Sequence, residues 1–475
     1  MLFNSCRRAG LQFALLLGVS LPGFAALPES VGRALKNLKL PEHSLGVLVM
    51  PADGGAPVLA HEADTPFNPA STMKLLTSVA ALETLGPAFQ WRTGLWTDGS
   101  IDGDTLRGNL YIKGGGDPVL TYEKVWLLLR KLKARGVRHI SGDLVLDRRY
   151  FTLAPDANAG QFDEQPERAY NVAPDALLMN FKAVDFDIES TASSVTVRAD
   201  PPLAGMNVSH RFKLVDAPCD RWRALWQRPE ISERNGQLSV VLQGQFPRNC
   251  RNDRYLGLLE PAAFADRLTR SLWQELGGDI AGATRQGAVP AAASLLAEQL
   301  SPPLGEVMRD MNKLSNNLIA RTLFLTLGAE RPKPDADTAT SAEQQLRAWL
   351  ASRRLDWPEL VVENGSGLSR KERISPRHLG ELLRLSRQSV YGPELFASLP
   401  ILGLDGTLQK RLTGSALAGQ GHLKTGTLDD AKALAGVLRD AAGRDWIVVA
   451  IINHPRADLG QPVLDALLQW VWDRR

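Results

Sequence analysis

The sequence predicts an α/β fold in which both ends of the chain contribute strands to one antiparallel sheet flanked by helices. Near the start, two stretches rich in apolar and β-branched residues, 44–50 and 57–61, surround an Asp-Gly-Gly turn, which is typical of a β-hairpin. Close to the end, three more strand-like stretches precede an apolar helical run; they lie at 421–428, 431–438 and 446–453, and the helix lies at 462–472. The domain that carries this sheet is therefore expected to be discontinuous in sequence.

A helical run that ends near Gly86 follows the hairpin and opens with Ser71-Thr72-Met73-Lys74. In a helix, residues three apart share a face, so the Ser71 hydroxyl and the Lys74 amine would lie together at its positive end. A lysine kept neutral by burial and nearby cations can accept the serine proton, and the serine then becomes a nucleophile without a histidine. Alone the motif is weak, because Ser-x-x-Lys should occur by chance about once or twice in such a chain.

The middle of the chain predicts a mixed insertion domain with a β-rich domain nested inside it. Strand-like stretches at 108–113 and 141–147 flank an amphipathic helix at 122–135, and a helix at 262–276 leads back to the first domain. Four alternating stretches separated by turn-forming residues lie between them, at 181–189, 193–198, 210–215 and 238–245. The expected divisions are a signal peptide at 1–25, a catalytic domain at 26–88 and 286–475, an insertion at 89–178 and 250–285, and the nested domain at 179–249.

Two further motifs follow Ser71 in the chain. Ser315-Asn316-Asn317 supplies Ser-x-Asn, and Lys424-Thr425-Gly426-Thr427 supplies Lys-Thr-Gly, which should occur by chance in only about one such chain in ten. The three motifs in this order resemble the penicillin-binding protein and serine β-lactamase superfamily. The long interval between Ser71 and Ser315 is similar to that of class C low-molecular-mass penicillin-binding proteins, the D-alanyl-D-alanine carboxypeptidase/endopeptidases of peptidase family S13.

Four other segments extend this resemblance over nearly all of the chain that follows the first 25 residues. They are Gly-Gly-Gly-Asp-Pro at 114–118, Tyr-Asn-Val-Ala-Pro at 170–174, Asn-Gly-Ser-Gly-Leu-Ser-Arg at 364–370 and Leu-Asp-Gly-Thr-Leu at 404–408. The resemblance implies a transpeptidase-like catalytic domain and attack on the peptide bond between two D-alanines. The glycines at 114–116 are expected to form a tight turn, because no Walker lysine accompanies them. The loop at 364–370 is expected to line the cleft.

The resemblance assigns Ser71 as nucleophile and Lys74 as its base. Burial and repulsion from Lys424 should lower the pKa of Lys74, while Lys424 stays charged. Ser315 would pass the proton to the departing amine, and Asn317 would orient Lys74 and hold the substrate carbonyl. Between them, Asn316 stands where the family more often has an acidic residue.

The same resemblance makes the Lys-Thr-Gly segment a substrate-binding edge strand. Lys424 and Thr425 would hold the terminal carboxylate, and Gly426 would leave room for the approach. The backbone N–H groups of Ser71 and Thr427 would form the oxyanion hole, where one donor typically contributes about 3 kcal/mol. His422, on the same strand face as Lys424, is expected to pack or to border the cleft.

An acidic residue that receives the amino group of the peptidoglycan side chain is also implied by the resemblance. Asp163 and Glu164 precede the segment at 170–174 and match its place approximately. Surface acids are common, so an ordinary surface position is the competing interpretation.

The first residues have the pattern of a cleaved secretory signal. Arg7 and Arg8 precede an apolar stretch at 11–21, which is too short to span a bilayer comfortably, and small residues follow at 23, 25 and 26. Loss of the two arginines lowers the formal charge from +3 to +1. An exported, periplasmic protein is therefore expected.

The nearly neutral charge and the few cysteines exclude several kinds of partner. No concentrated basic face points to nucleic acid, and at most a peripheral membrane association is expected. The helical run at 462–472 is expected to pack on the sheet. Without Cys6, only Cys219 and Cys250 remain, and in an oxidising compartment a disulfide is favoured over two free thiols. No Cys-x-x-Cys or histidine spacing suggests a metal, and no cofactor is expected.

Two other functions use the same residues. A serine β-lactamase would need fast hydrolysis of its acyl-enzyme, and the glutamate that class A enzymes use about a hundred positions after the nucleophile would fall here in the insertion, where no equivalent can be assigned. A peptidoglycan-binding or sensing protein without turnover would not need Ser71, Lys74, Ser315, Asn317 and Lys424 together. The favoured function is a carboxypeptidase and endopeptidase that penicillins acylate.

Overall fold

The computed structural model describes residues 26–153 and 172–474 of the chain. The strands are β1 Leu45–Pro51, β2 Leu59–His61, β3 Arg92–Thr97, β4 Ser100–Asp102, β5 Thr105–Arg107, β6 Leu110–Lys113, β7 His139–Ile140, β8 Leu144–Asp147, β9 Ala183–Ser190, β10 Val195–Asp200, β11 Met206–Val215, β12 Trp226–Arg234, β13 Gln237–Pro247, β14 Arg251–Gly257, β15 Asp279–Ile280, β16 Thr284–Gln286, β17 Ser294–Leu300, β18 Gly421–Leu428, β19 Ala431–Arg439 and β20 Asp445–Asn453. The helices are α1 Glu29–Leu38, α2 Lys74–Leu85, α3 Tyr122–Ala134, α4 Trp222–Leu225, α5 Pro261–Glu275, α6 Leu304–Leu314, α7 Asn317–Ala329, α8 Thr338–Ser352, α9 Pro376–Gln388, α10 Gly392–Ser398 and α11 Gln461–Trp472. The predicted signal peptide lies outside these residues.

Strands from the two ends of the chain pair in one antiparallel sheet, in the order β18-β19-β20-β1-β2. The register places Val47 opposite Ala450. Because successive side chains of a strand point to opposite faces, Leu48 and Met50 reach a core shared with α2 and α6 to α10, whereas Val47 and Val49 reach a second core shared with α1 and α11. Helices thus cover both faces, and the predicted α/β fold is confirmed.

Helix α2 is buried along most of its length, from Lys74 to Leu82, and packs against α7 and α9. Its sequence is apolar on nearly every side, which is typical of a helix that is surrounded by protein. A short 3₁₀ turn, Ala70–Met73, leads into it. The candidate nucleophile therefore lies at the start of a helix that the core holds in place.

Two further sheets and two helices lie mostly within the predicted insertion, although β17 falls in the range predicted for the catalytic domain. The sheets have the orders β16-β8-β6-β3-β17 and β15-β7-β5-β4. Leu128 and Leu132 of α3 share one hydrophobic core with Phe264 and Leu268 of α5. Both helices begin and end within one residue of the predicted positions.

The β-rich part contains two three-stranded sheets, β10-β9-β14 and β11-β13-β12. Strands β12 and β14 have no counterpart among the predicted strands, because both lie at sheet edges and carry the charged residues that edge strands tolerate. In β12 the one buried residue is Pro229. The pairing of β14 with β9 crosses the boundary predicted between 249 and 250, and the domain boundaries stay a prediction.

A disulfide joins Cys219, in the turn before α4, to Cys250, directly before β14. The two Cα atoms lie 5.7 Å apart, within the usual range for a bridge. The predicted pairing is confirmed.

Helix α11 packs on the sheet as predicted. Val463, Leu467, Leu468 and Val471 are buried in the core that also contains α1. Among residues 26–153 and 172–474, no helix has both the length and the apolar character that crossing a membrane requires.

Candidate active site

A tight turn ahead of α2 presents Ser71. Asn68 fixes this turn, since its side chain accepts a hydrogen bond from the Ala70 N–H at 2.9 Å and donates one to the Ser369 carbonyl at 2.8 Å. The Asn453 side chain, at the end of β20, accepts from the Asn68 N–H at 2.6 Å. The nucleophile is therefore tied both to the central sheet and to the loop at 364–370.

The Lys74 amine is fully buried and lies 2.9 Å from the Ser71 hydroxyl. Its nitrogen is also 2.7 Å from the Asn317 side-chain oxygen and 2.5 Å from the Ser366 carbonyl oxygen. A neutral amine has two N–H groups and one lone pair. Because the amide and carbonyl oxygens can only accept, they take both N–H groups and leave the lone pair for the Ser71 hydroxyl.

Burial holds the pKa of Lys74 well below its usual range, and the charge of Lys424 lowers it further. Both causes are those that the sequence predicts. The buried carboxyl of Glu372 acts in the opposite direction and raises the pKa of Lys74. Glu372 has no role in the sequence analysis, because a glutamate between Lys371 and Arg373 has the appearance of a surface residue.

Ser315 and Asn317 lie at the sharp junction of α6 and α7. Ser315 closes α6 in the left-handed conformation, with φ 57°, which is uncommon for a residue other than glycine. Asn316 caps α7, since its side chain accepts from the Ile319 N–H at 3.0 Å. Asparagine and aspartate cap helices about equally well, so Asn316 can cap α7 as the acidic residue more common in the family would.

Lys424, a residue of the edge strand β18, is fully buried, and its amine donates to the Ser315 hydroxyl at 2.8 Å. A second bond of 2.8 Å reaches the Thr425 carbonyl. Burial lowers the pKa of Lys424 to about 7. This value is far below the ordinary pKa of a lysine, and the charged state expected for Lys424 stays a prediction. A bound carboxylate would raise its pKa again.

Strand β18 passes close to the nucleophile at Gly426. A β-carbon at this position would lie 2.8 Å from the Pro69 carbonyl oxygen and 3.0 Å from the Ser71 nitrogen, so only glycine fits. Thr425 is fixed from outside by Thr407, whose hydroxyl lies 2.8 Å from its own. Thr427 follows on the same strand, with an exposed side chain. This places the predicted substrate-binding strand beside the Ser71 turn.

The loop at 364–370 lies against the nucleophile turn, as the sequence predicts. Gly367 adopts φ +81°, and a β-carbon there would lie 1.9 Å from the Ala70 carbonyl oxygen. His422 makes a contact of 2.9 Å with the Phe396 carbonyl, which is the packing role expected for it. Ser366 is a site residue that the sequence analysis missed, because it acts through its backbone carbonyl.

Other predicted residues lie apart from this cluster or outside the described chain. The glycines at 114–116 follow β6 without forming the expected tight turn, which lies instead at 118–119, because the Gly114 and Gly116 N–H groups donate to the distant carbonyls of Asp147 and Ala176. Asp163 and Glu164 lie outside the described residues, so their place relative to the cleft stays a prediction.

The chain matches the family model of the D-Ala-D-Ala carboxypeptidase 3 (S13) family over residues 27–471. It therefore belongs to this family of serine D-Ala-D-Ala carboxypeptidases, as the three motifs predict. The roles of the individual site residues in this chain stay predictions.

Curated relatives agree with the family over most of their length. The chain is 27% identical to the D-alanyl-D-alanine carboxypeptidase DacB of Haemophilus influenzae over 455 residues, which are 93% of this chain and 91% of that protein. It is 28% identical to a D-alanyl-D-alanine carboxypeptidase of Actinomadura sp. strain R39, over 90% of this chain and 81% of that protein.

Solved structures show the same fold. The crystal structure of penicillin binding protein 4 (dacB) from Haemophilus influenzae superimposes with a TM-score of 0.76 and 24% identity, and covers 92% of this chain and 99% of its own. A second structure of that protein, in complex with a β-lactam, gives a TM-score of 0.73 at 24% identity, with 93% and 99% covered.

Proposed function

We propose that this chain is a periplasmic D-Ala-D-Ala carboxypeptidase and endopeptidase that acts on peptidoglycan stem peptides and cross-links through an acyl-enzyme at Ser71, and that penicillins acylate the same serine. The observation that carries the proposal is the arrangement of the Lys74 amine, which is fully buried, 2.9 Å from the Ser71 hydroxyl and bonded to two oxygens that can only accept. In its neutral form this amine has one free lone pair, which can accept the proton of the Ser71 hydroxyl.

Acylation begins with Ser71 as nucleophile. Its oxygen attacks the carbonyl carbon between two D-alanines while its proton moves to the Lys74 nitrogen. The N–H groups of Ser71 and Thr427 stabilise the negative oxygen that forms. Lys74 then passes the proton to Ser315, which gives its own to the departing amine, so that Lys74 is neutral again; Lys424 donates to the Ser315 hydroxyl at 2.8 Å and orients it. Free D-alanine, or the amine half of a cross-link, leaves.

The substrate is recognised at its terminal carboxylate. Lys424 and Thr425 lie on the edge strand beside the nucleophile, where an extended peptide can align with β18. The carboxylate of a penicillin would occupy the same place. On the other side of the cleft, Asp163 or Glu164 would receive the side-chain amino group of the stem peptide.

The periplasmic location is supported by the signal-like pattern in residues 1–25 and by the disulfide, which forms in oxidising compartments. The β-lactam complex of the Haemophilus influenzae protein supports acylation by penicillins.

A labelled penicillin tests the proposal. Stable labelling of the native protein is expected, with loss of all label in Ser71→Ala, because that change removes the nucleophile and little volume. Ser78→Ala is the matched control, since Ser78 is a buried serine of the adjoining helix α2 that accepts a hydrogen bond from the Asn312 side chain. Rapid loss of the label would instead indicate a β-lactamase, and no labelling of the folded native protein would indicate a binding module. Persistent labelling of Ser71→Ala would show that another residue is acylated.

A further inference from the structure

Glu372 is a fully buried carboxyl that follows the loop at 364–370. One of its oxygens, Oε1, accepts three backbone N–H groups in a row, from Glu363 at 3.2 Å, Asn364 at 3.0 Å and Gly365 at 2.9 Å. The other oxygen, Oε2, is buried and has no hydrogen-bond partner among the described residues. Buried carboxyl oxygens are rarely left in this state, so the position calls for a physical reason.

The three N–H groups connect Glu372 to the base. They fix the backbone at 363–365, and the next carbonyl, that of Ser366, accepts from the Lys74 nitrogen at 2.5 Å. The Gly365 carbonyl accepts from the Thr77 hydroxyl, one turn further along α2, at 2.6 Å. Glu372 thereby fastens the segment that holds Lys74 from the side opposite Ser71.

The charges around this carboxyl come from three elements. Lys74, from α2, lowers the pKa of Glu372 by its charge, and Glu372 in turn raises the pKa of Arg321, on α7. Glu363, whose backbone N–H binds Glu372, is another carboxylate of this segment, but it is paired with Lys371 at 2.9 Å and accepts from the Ser369 hydroxyl. Lys424, from β18, acts on Lys74 with the same sign as burial. Glu372 is thus the carboxylate that opposes both effects at Lys74.

We propose that Glu372 is a positioning residue for acylation, a buried counter-charge that stabilises the ammonium form of Lys74 as it accepts the Ser71 proton. The proton moves from the Ser71 oxygen to the Lys74 nitrogen, and Glu372 neither gains nor loses one. Burial raises the pKa of Glu372, whereas its three backbone N–H donors and the charge of Lys74 lower it and so favour the carboxylate form that this role requires. This inference rests on the proposed role of Lys74 as base.

The pH dependence of penicillin acylation by the purified protein tests the inference through Glu372→Gln. The amide keeps an acceptor oxygen for the three N–H groups and removes the negative charge. Without that charge the ammonium form of Lys74 is less stable and its pKa falls, so the acid limb of the rate profile should move by about one unit toward lower pH. The plateau rate should fall about tenfold, because a weaker base accepts the proton less readily.

Two matched variants separate this role from a merely structural one. Glu363→Gln removes a negative charge from the same turn, at a group already paired with Lys371, and should leave the acid limb unchanged. Glu372→Asp keeps the charge. The acid limb of its acylation-rate profile should lie at the same pH as that of the native protein, even if the rate falls. An acid limb that is the same in Glu372→Gln and in the native protein would overturn the inference.

A measurement on the unsubstituted protein covers the case in which Glu372→Gln does not fold. With ¹³C labels in lysine and glutamate, the Cε signal of Lys74 and the Cδ signal of Glu372 should respond in the same pH range, because each group senses the charge of the other. A Cδ signal that ignores the titration of Lys74 would also overturn the inference. Penicillin labelling at Ser71 of the native protein, scored separately, tells whether the proposed function itself holds.

Discussion

The central sheet and the β-rich sheets of residues 183–257 bury their side chains in different ways. In β20 every residue from Trp446 to Ile452 is buried, because helices cover both faces. In β10 half-buried and exposed residues alternate. The helices packed on the central sheet exclude water from Lys74 and Lys424, and this burial lowers the pKa values of both amines. Tight packing around the two lysines is therefore a condition for the proposed chemistry.

The β-rich part is held together by other means. Arg198 and Arg251 pair with Asp187 on its surface, and exposed pairs of this kind contribute little to stability. The bridge between Cys219 and Cys250 links the turn before α4 to β14. The comparison indicates that the catalytic part tolerates costly buried charges within its packing, whereas the β-rich part adds a covalent link to an apolar core that it shares with α3 and α5.

The largest expected effect is at Lys74. Lys74→Met has nearly the same volume, removes the base, and should slow penicillin acylation by about a thousandfold while the protein still unfolds in a cooperative thermal transition. Stopped-flow labelling and thermal unfolding measure the two quantities. Lys124→Met, in the insertion, removes a half-buried lysine that donates to the Val119 carbonyl, and should acylate at the native rate. A near-native rate in Lys74→Met would mean that another base serves Ser71.

Removal of the disulfide should lower stability and leave acylation unchanged, which is the reverse of the result expected for Lys74→Met. Cys219→Ala with Cys250→Ala opens a loop whose ends are 31 positions apart, and should lower the free energy of unfolding by about 4 kcal/mol in the chain-entropy model. The acylation rate at 25 °C should stay native, because neither cysteine belongs to the cores around α2. Denaturant titration and labelling provide the comparison. A parallel loss of acylation would show that the β-rich part does support the active site.

Sequence patterns predicted the central sheet because periodicity is local, and through the resemblance that the three motifs carry they implied the cluster of Ser71, Lys74 and Ser315. They missed β12 and β14, whose pairing partners rather than their composition make them strands. Glu372 could not be found either, since a charged residue reveals burial only when the chain around it has folded. The role of the Ser366 carbonyl could not be predicted from sequence either, because every residue has a backbone carbonyl.

Substitution of Lys424 should have a smaller effect on acylation than substitution of Lys74, and it distinguishes substrate recognition from bond chemistry. If it holds the terminal carboxylate, Lys424→Ala should lose a charge-assisted contact of about 2 to 3 kcal/mol, which is a 30- to 150-fold drop in acylation efficiency with D-Ala-D-Ala peptides. Lys432→Ala is the matched control, because that half-buried lysine on β19 lies beside Gly460, on the far side of the sheet from the Ser71 turn.

The same peptide with its terminal carboxylate amidated completes a double-mutant cycle. It should be a poor substrate for the native enzyme and should lose little more in Lys424→Ala, because the contact is absent in both cases. The pKa of about 7 adds a second signature. Below this pKa Lys424 is charged and above it neutral, so the efficiency of the native enzyme toward the free acid should decline as pH rises through about 7, and the amidated peptide should lack that decline. Additive losses in the cycle would mean that Lys424 does not bind the terminal carboxylate. It would then act through the pKa of Lys74 or the proton of Ser315, and its burial would serve proton transfer alone.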